Sequence, residues 1–147
     1  MQGGCGDLGR PEAPDARADP GRGGGDMTPE QRLLDNLLDM QQAASEAIGF
    51  VSGSTLETFE REILTQRAVA MTFVLIAAAA SRILSRFPDV ASEHPDIAWS
   101  KIEELRNVVL RQYGDPDWPL VWDTVQKDLP TLIAQLDQLR HPHIQGE

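Results

Sequence analysis

Apolar residues recur along this chain at intervals of three and four, the spacing of one helical face, and no stretch of useful length alternates as a strand does. Leu33, Leu34, Leu37, Met40, Ala44, Ala47, Ile48 and Val51 predict a first helix. Thr28-Pro29-Glu30-Gln31 opens it, because Thr28 and Gln31 can cap each other's backbone donors and proline suits the first helical position. Gly49 and Gly53 end it or loosen its last turn. Ser54-Thr55-Leu56-Glu57 reads as a second capping box, opening a short helix that carries Leu56 and Phe59 inward. A third helix is predicted from about Ile63 to Phe87, stopped by Pro88, with Pro88 to Pro95 as a connector.

Ala98, Ile102, Leu105 and Val109 predict a fourth helix reaching Gly114, introduced by Ile97 and by Trp99 as a core anchor. In such a helix Arg106 and Tyr113, seven positions apart, share a face about 20° wide. After the turn Gly114-Asp115-Pro116-Asp117, a heptad seam runs through Trp118, Trp122, Val125, Leu129, Leu132, Leu136 and Leu139. Pro130 interrupts its hydrogen bonds without breaking its phase, so the prediction is a kinked helix. Together these elements make an all-α fold, an up-and-down four-helix bundle with one short extra helix.

Ala68 to Ala80 is apolar apart from Thr72, hence hydrophobic on nearly all sides. Such a run falls short of the roughly 20 residues a bilayer span needs. The expectation is a core helix whose spare apolar side meets another chain or the paired helices, with the alanines at 77 to 80 admitting a close neighbour, and no membrane partner. The first 26 residues hold most of the glycines and three prolines and almost no large apolar side chain, so they are expected to be a disordered tail. They lack the basic start and apolar run of a signal peptide, and Met27, just before the first helix, is a candidate natural start. The domain expected is 27–140, followed by a tail at 141–147.

Cys5 is the only cysteine, which excludes an intrachain disulfide and fits a reducing cytoplasm. His94, His141 and His143 have no metal-site spacing, so no metal ligands are assigned. A formal net charge of −10 argues against broad attraction to nucleic acid. The acid gathers in the first and last helices, at Asp35, Asp39, Glu46, Asp117, Asp123, Asp128 and Asp137, whereas Arg82, Arg86, Lys101, Arg106 and Arg111 lie mid-chain. Any RNA contact is therefore expected at a local arginine cluster, although these charges, Arg106 excepted, equally read as ordinary solvated faces.

The run Arg106-Asn107-Val108-Val109-Leu110-Arg111-Gln112-Tyr113, with Asp117-Trp118 and Val121 to Pro130 beyond it, resembles the HepT-like family of HEPN-domain proteins. The resemblance covers roughly residues 33 to 139. These are small all-helical toxins, usually encoded beside a minimal nucleotidyltransferase antitoxin. Their pattern R-N-x-x-x-H-x-Y implies a ribonuclease site, independent of metal or cofactor, built by Arg and His across a homodimer, with a Tyr that the antitoxin can modify with AMP. Arg106, Asn107 and Tyr113 match, and Arg111 stands in the histidine's place. Gln66-Arg67-Ala68-Val69 and Ile76 to Ala79 resemble the family's Q-D-A-V and I-G-E-A segments, but the Gly-Glu pair has become Ala77-Ala78.

Metal-free RNA cleavage needs a deprotonated 2′-hydroxyl, a protonated leaving oxygen and a stabilised phosphate, roles that an arginine and a histidine can share. Arg106 can stabilise charge. A guanidinium holds its proton throughout the physiological range, so Arg111 can grip phosphate but cannot shuttle a proton. No P-loop, Rossmann glycine pattern, Ser-His-Asp arrangement or HExxH motif offers another enzyme class. Three expectations remain: a HepT-like toxin with cleavage weakened or lost, a non-catalytic dimeric module bound to a nucleotidyltransferase, and an unrelated bundle in which Arg106 is a surface ion-pair residue.

Overall fold

The computed structural model describes residues 27–111 and 114–145, and the side chains up to residue 141. The expected N-terminal tail and Tyr113 lie outside the described residues. The chain divides into two compact units, Met1–Arg32 and Leu33–Glu147. Of the first, the described part is the start of helix α1 (Pro29–Phe50). Its capping box forms as predicted: the Thr28 N–H donates to Gln31 Oε1 at 3.0 Å and the Gln31 N–H to Thr28 Oγ1 at 3.1 Å.

In the second unit α1 buries Leu33, Leu37, Met40, Ala43, Ala44 and Ala47 along one face, and Gly53, at φ +84°, turns the chain after it. Helix α2 (Leu56–Phe59) is capped one residue later than the sequence suggests, by Thr55 and Thr58 bonding each other's backbone. Glu57 is therefore not the partner; the shorter Thr58 side chain closes the box. Phe59 is fully buried, its ring edge-on to Trp118 and tilted against Trp122, each at 5.6 Å between centroids. Replacing Thr55 by alanine removes the bond from the Thr58 N–H to Thr55 Oγ1, while the Thr55 N–H keeps its bond to Thr58 Oγ1, and is expected to lower stability by about 1 kcal/mol. Urea unfolding reads this as a lower midpoint; an unchanged midpoint would mean that Phe59 packing alone holds α2.

Helix α3 (Ile63–Arg86) is the central rod, packed against the short helix α4 (Pro88–Glu93) and against α5 (Trp99–Glu103) and α6 (Leu105–Val109). It buries Val69, Phe73, Ile76, Ala77, Ala79, Ala80 and Ile83, and its buried Gln66 side chain donates to the Phe59 carbonyl at 2.9 Å. By length and composition α3 could cross a bilayer, contrary to the expectation from the alanine run alone, yet 44% of its most apolar window is buried inside the protein. Arg82 ties α3 to α1, donating from Nε to Asn36 Oδ1 at 2.7 Å. The residues read as a connector include α4, whose first residue is Pro88, so the bundle has two short extra helices.

The last rod comprises α7 (Trp118–Asp123), one wider π turn (Thr124–Asp128) and α8 (Leu129–Gln145). Pro130 has no N–H to give to the residue four back, and the turn just before it widens, the Leu129 N–H reaching the Thr124 carbonyl five back. The extra residue shifts the seam: Val121, Val125 and Leu129 are buried at successive intervals of four, and Trp122 is only half-buried. Val121 thus takes the core place that a regular heptad assigns to Trp122. Gln41 Nε2 donates to the Ile133 carbonyl at 3.4 Å, and Arg140 donates to Gln41 Oε1, joining α8 to α1. The helix continues past residue 140, where a tail was expected, and pairs His141 with Asp137 at 3.2 Å.

Candidate functional site

Trp99, Ile102, Leu105 and Val109 are buried, so the rod carrying the motif is anchored along one side. Trp99 takes the core role, its Nε1 donating to the His94 carbonyl at 3.1 Å, while Ala98 is exposed at the helix start rather than part of the buried stripe. The rod breaks at Glu104, whose φ and ψ of −78° and −7° close α5 and open α6. It then stops at Val109, five residues short of Gly114, and Leu110 leaves helical geometry at φ −103°, ψ 81°. The reason lies in the stripe: Leu110 follows Val109 directly, out of phase with the buried face, and is exposed. Without burial to hold it, another turn is not favoured.

This changes the geometry expected from the sequence. Arg106 and Asn107 lie on α6 with exposed side chains, and neither head has a hydrogen bond or ion pair with another described residue. Arg111 is exposed too but sits in the non-helical segment beyond Val109, so helical phase does not relate it to Arg106. The expected pairing of Tyr113 with Arg106 lies outside the described residues. Arg106 thus presents an uncommitted guanidinium to solvent, suited to bidentate contact with a phosphate.

On the facing helix, Ala77 is buried and Ala78 half-buried, so the segment corresponding to I-G-E-A brings no polar head here. The alanines at 77, 79 and 80 line the protein's own core rather than admitting a second chain. The outward side of α3 is instead Leu64, Met71 and Leu75, which are 85, 56 and 47% exposed. One turn beyond Ala78, Ser81 Oγ donates to Glu103 Oε2 at 2.7 Å across the α3–α5 contact. Glu103 stands outside the contiguous motif. Its signal was its position three before Arg106 and four before Asn107, the separations at which helical side chains meet.

A family model described as ribonuclease HepT-like matches residues 40–139. The chain is 28% identical over 106 residues to "Probable ribonuclease HepT" of Thermococcus cleftensis, covering 72% of this chain and 94% of that protein. It is 22% identical over 111 residues to "Putative RNase MJ0127" of Methanocaldococcus jannaschii, covering 76% of this chain and 89% of that protein. No solved structure gives a significant match. The matched span runs from α1 through the motif rod into α8 and includes Arg106, Asn107 and Arg111, and on this ground the chain belongs to the ribonuclease HepT-like family.

Proposed function

We propose that this protein is the toxin component of a toxin–antitoxin pair, a homodimeric cytoplasmic HepT-like ribonuclease with weakened RNA cleavage, partnered by a minimal nucleotidyltransferase. The observation that carries the reading is the exposed, uncommitted Arg106 beside Asn107 on a rod otherwise locked into the core. Arg106 binds and stabilises the scissile phosphate, while Arg111, in the histidine's place, adds attraction but no proton transfer. Family membership supports the ribonuclease class. The outward stripe of Leu64, Met71 and Leu75 supports a dimer, since a second copy would cover apolar surface otherwise left in water. On this reading the natural chain cuts single-stranded RNA slowly, and Arg106→Ala removes most of that cutting, by a hundredfold or more on the scale of lost charge-stabilising contacts.

A second reading, a non-catalytic dimeric module that keeps only the partner surface, is favoured by Ala77-Ala78 and Arg111, which remove polar and proton-carrying groups. Gel assay of the natural chain separates the two, because the module shows no Arg106-dependent cleavage. Partner chemistry is tested separately at Tyr113. AMP added there would bring a phosphodiester anion close in sequence to Arg106 and Arg111, able to occupy their guanidinium groups. Co-expression with a cognate minimal nucleotidyltransferase is expected to add an AMP-sized mass to the natural chain and none to Tyr113→Phe. An increment that persists in the phenylalanine variant would move the acceptor elsewhere.

A further inference from the structure

Arg106 and Asn107 can hold a phosphate but neither takes up a proton readily, so the site as matched to the family motif lacks a base. Glu104 is nearer along the chain, but Glu103 is the carboxylate one turn before Arg106, and it is half-buried rather than free in solvent. Glu104, between them, keeps right-handed helical dihedrals, and its carbonyl accepts from the Asn107 N–H at 2.9 Å and the Val108 N–H at 3.2 Å. The backbone thus stays right-handed across the α5–α6 junction, although both bonds begin at the Glu104 carbonyl, and Glu103 precedes Arg106 by three positions and Asn107 by four, about one turn. Glu104 is exposed and has no side-chain partner among the described residues, whereas Glu103 is fixed by Ser81 from α3 at 2.7 Å. That bond occupies one carboxylate oxygen, Oε2, and leaves Oε1 to accept a proton.

We propose that Glu103, positioned by Ser81, is the general base of this site. The inference rests on the ribonuclease reading. RNA bound with its phosphate on Arg106 offers a 2′-hydroxyl to Glu103; the carboxylate takes the hydroxyl proton as the 2′-oxygen bonds to phosphorus. The bond from phosphorus to the 5′-oxygen breaks, its electron pair leaving with that oxygen, which takes a proton from water. The hydroxide so formed recovers the proton from Glu103. The products are a 2′,3′-cyclic phosphate and a 5′-hydroxyl end, and the carboxylate is regenerated.

The test uses the full natural chain and a single-stranded oligoribonucleotide, with kcat and KM measured for Glu103→Gln, Glu103→Ala, Ser81→Ala and Arg106→Ala. Glu103→Gln is expected to lower kcat about a hundredfold or more with KM within twofold. Ser81→Ala lowers kcat several-fold. Formate restores cleavage to Glu103→Ala, which leaves room for it, and not to Glu103→Gln, a rescue that a merely structural role would not give. Thermal unfolding within a few degrees of the natural chain confirms that the variants fold. Glu103→Gln cleaving as fast as the natural chain or faster overturns the inference while leaving the ribonuclease reading intact, provided Arg106→Ala is inactive. The same holds if only Arg111→His cleaves. If neither the natural chain nor Arg111→His shows Arg106-dependent cleavage, the ribonuclease reading fails and the inference with it.

Discussion

Replacing Met71 and Leu75 together by glutamate is expected to leave a monomer at micromolar concentration, where the natural chain is expected to dimerise. Both side chains stand on the outward side of α3, about half exposed, and neither belongs to the protein's own core. Burying a Met or Leu fully contributes about 1.5–3 kcal/mol, so covering the exposed half contributes roughly 1 kcal/mol per side chain. In a two-fold interface each position counts twice. The loss is then near 4 kcal/mol, close to a thousandfold in Kd, before the cost of bringing four carboxylates together. Thermal unfolding of the monomer should change little, because these positions already face solvent. Light scattering checks the outcome: a natural chain that is monomeric, or a double variant that stays dimeric, removes this face from the interface.

Arg111→His is expected to raise RNA cleavage about a hundredfold or more, with the gain dependent on Arg106. A histidine adds a group that both accepts and gives up protons near neutral pH, whereas the guanidinium it replaces remains charged throughout. General acid–base catalysis contributes typically 10²–10⁴-fold. The substitution should fold without difficulty, since Arg111 is exposed and lies outside any helix. Because the segment beyond Val109 is not helical, the imidazole reaches its place by loop geometry rather than helical phase. Cleavage by Arg111→His should depend on pH through the histidine range, with a limb that the natural chain lacks.

Much of this arrangement was legible in the sequence wherever a local signal and the apolar phase agreed. Thr28 with Gln31 marked the start of α1, Pro88 the end of α3, and Leu129, Leu132, Leu136 and Leu139 the buried face of α8. The errors occurred where backbone geometry altered the count. Pro130 announced a disturbance, but the wide turn that answers it lies upstream, at Thr124–Asp128, and it exchanged Trp122 for Val121 in the core. Gly114, at φ +77°, suggested a helix stop, yet packing ended with Val109, and the helix ended there too. Composition showed that α3 is apolar nearly all round, but only packing separated the inward alanines from outward Met71 and Leu75.

Arg106, Asn107 and Arg111 were found because they form a contiguous motif. Glu103 adjoins that motif at helical spacing, but its bond to Ser81 spans 22 positions and joins two rods, so spacing could point to Glu103 without revealing the serine that holds it. Residues paired across helices become visible only once the helices are docked.

The most direct test of Arg106 as the centre of a ribonuclease site weakened at position 111 is the initial rate of oligoribonucleotide cleavage by three proteins measured side by side: the natural chain, Arg111→His, and Arg111→His with Arg106→Ala. A slow natural chain, a rate at least a hundredfold higher for Arg111→His, and loss of that gain in the double variant are the expected results. A fast natural chain unchanged by Arg111→His, or an activity that survives removal of Arg106, would contradict this reading of the site.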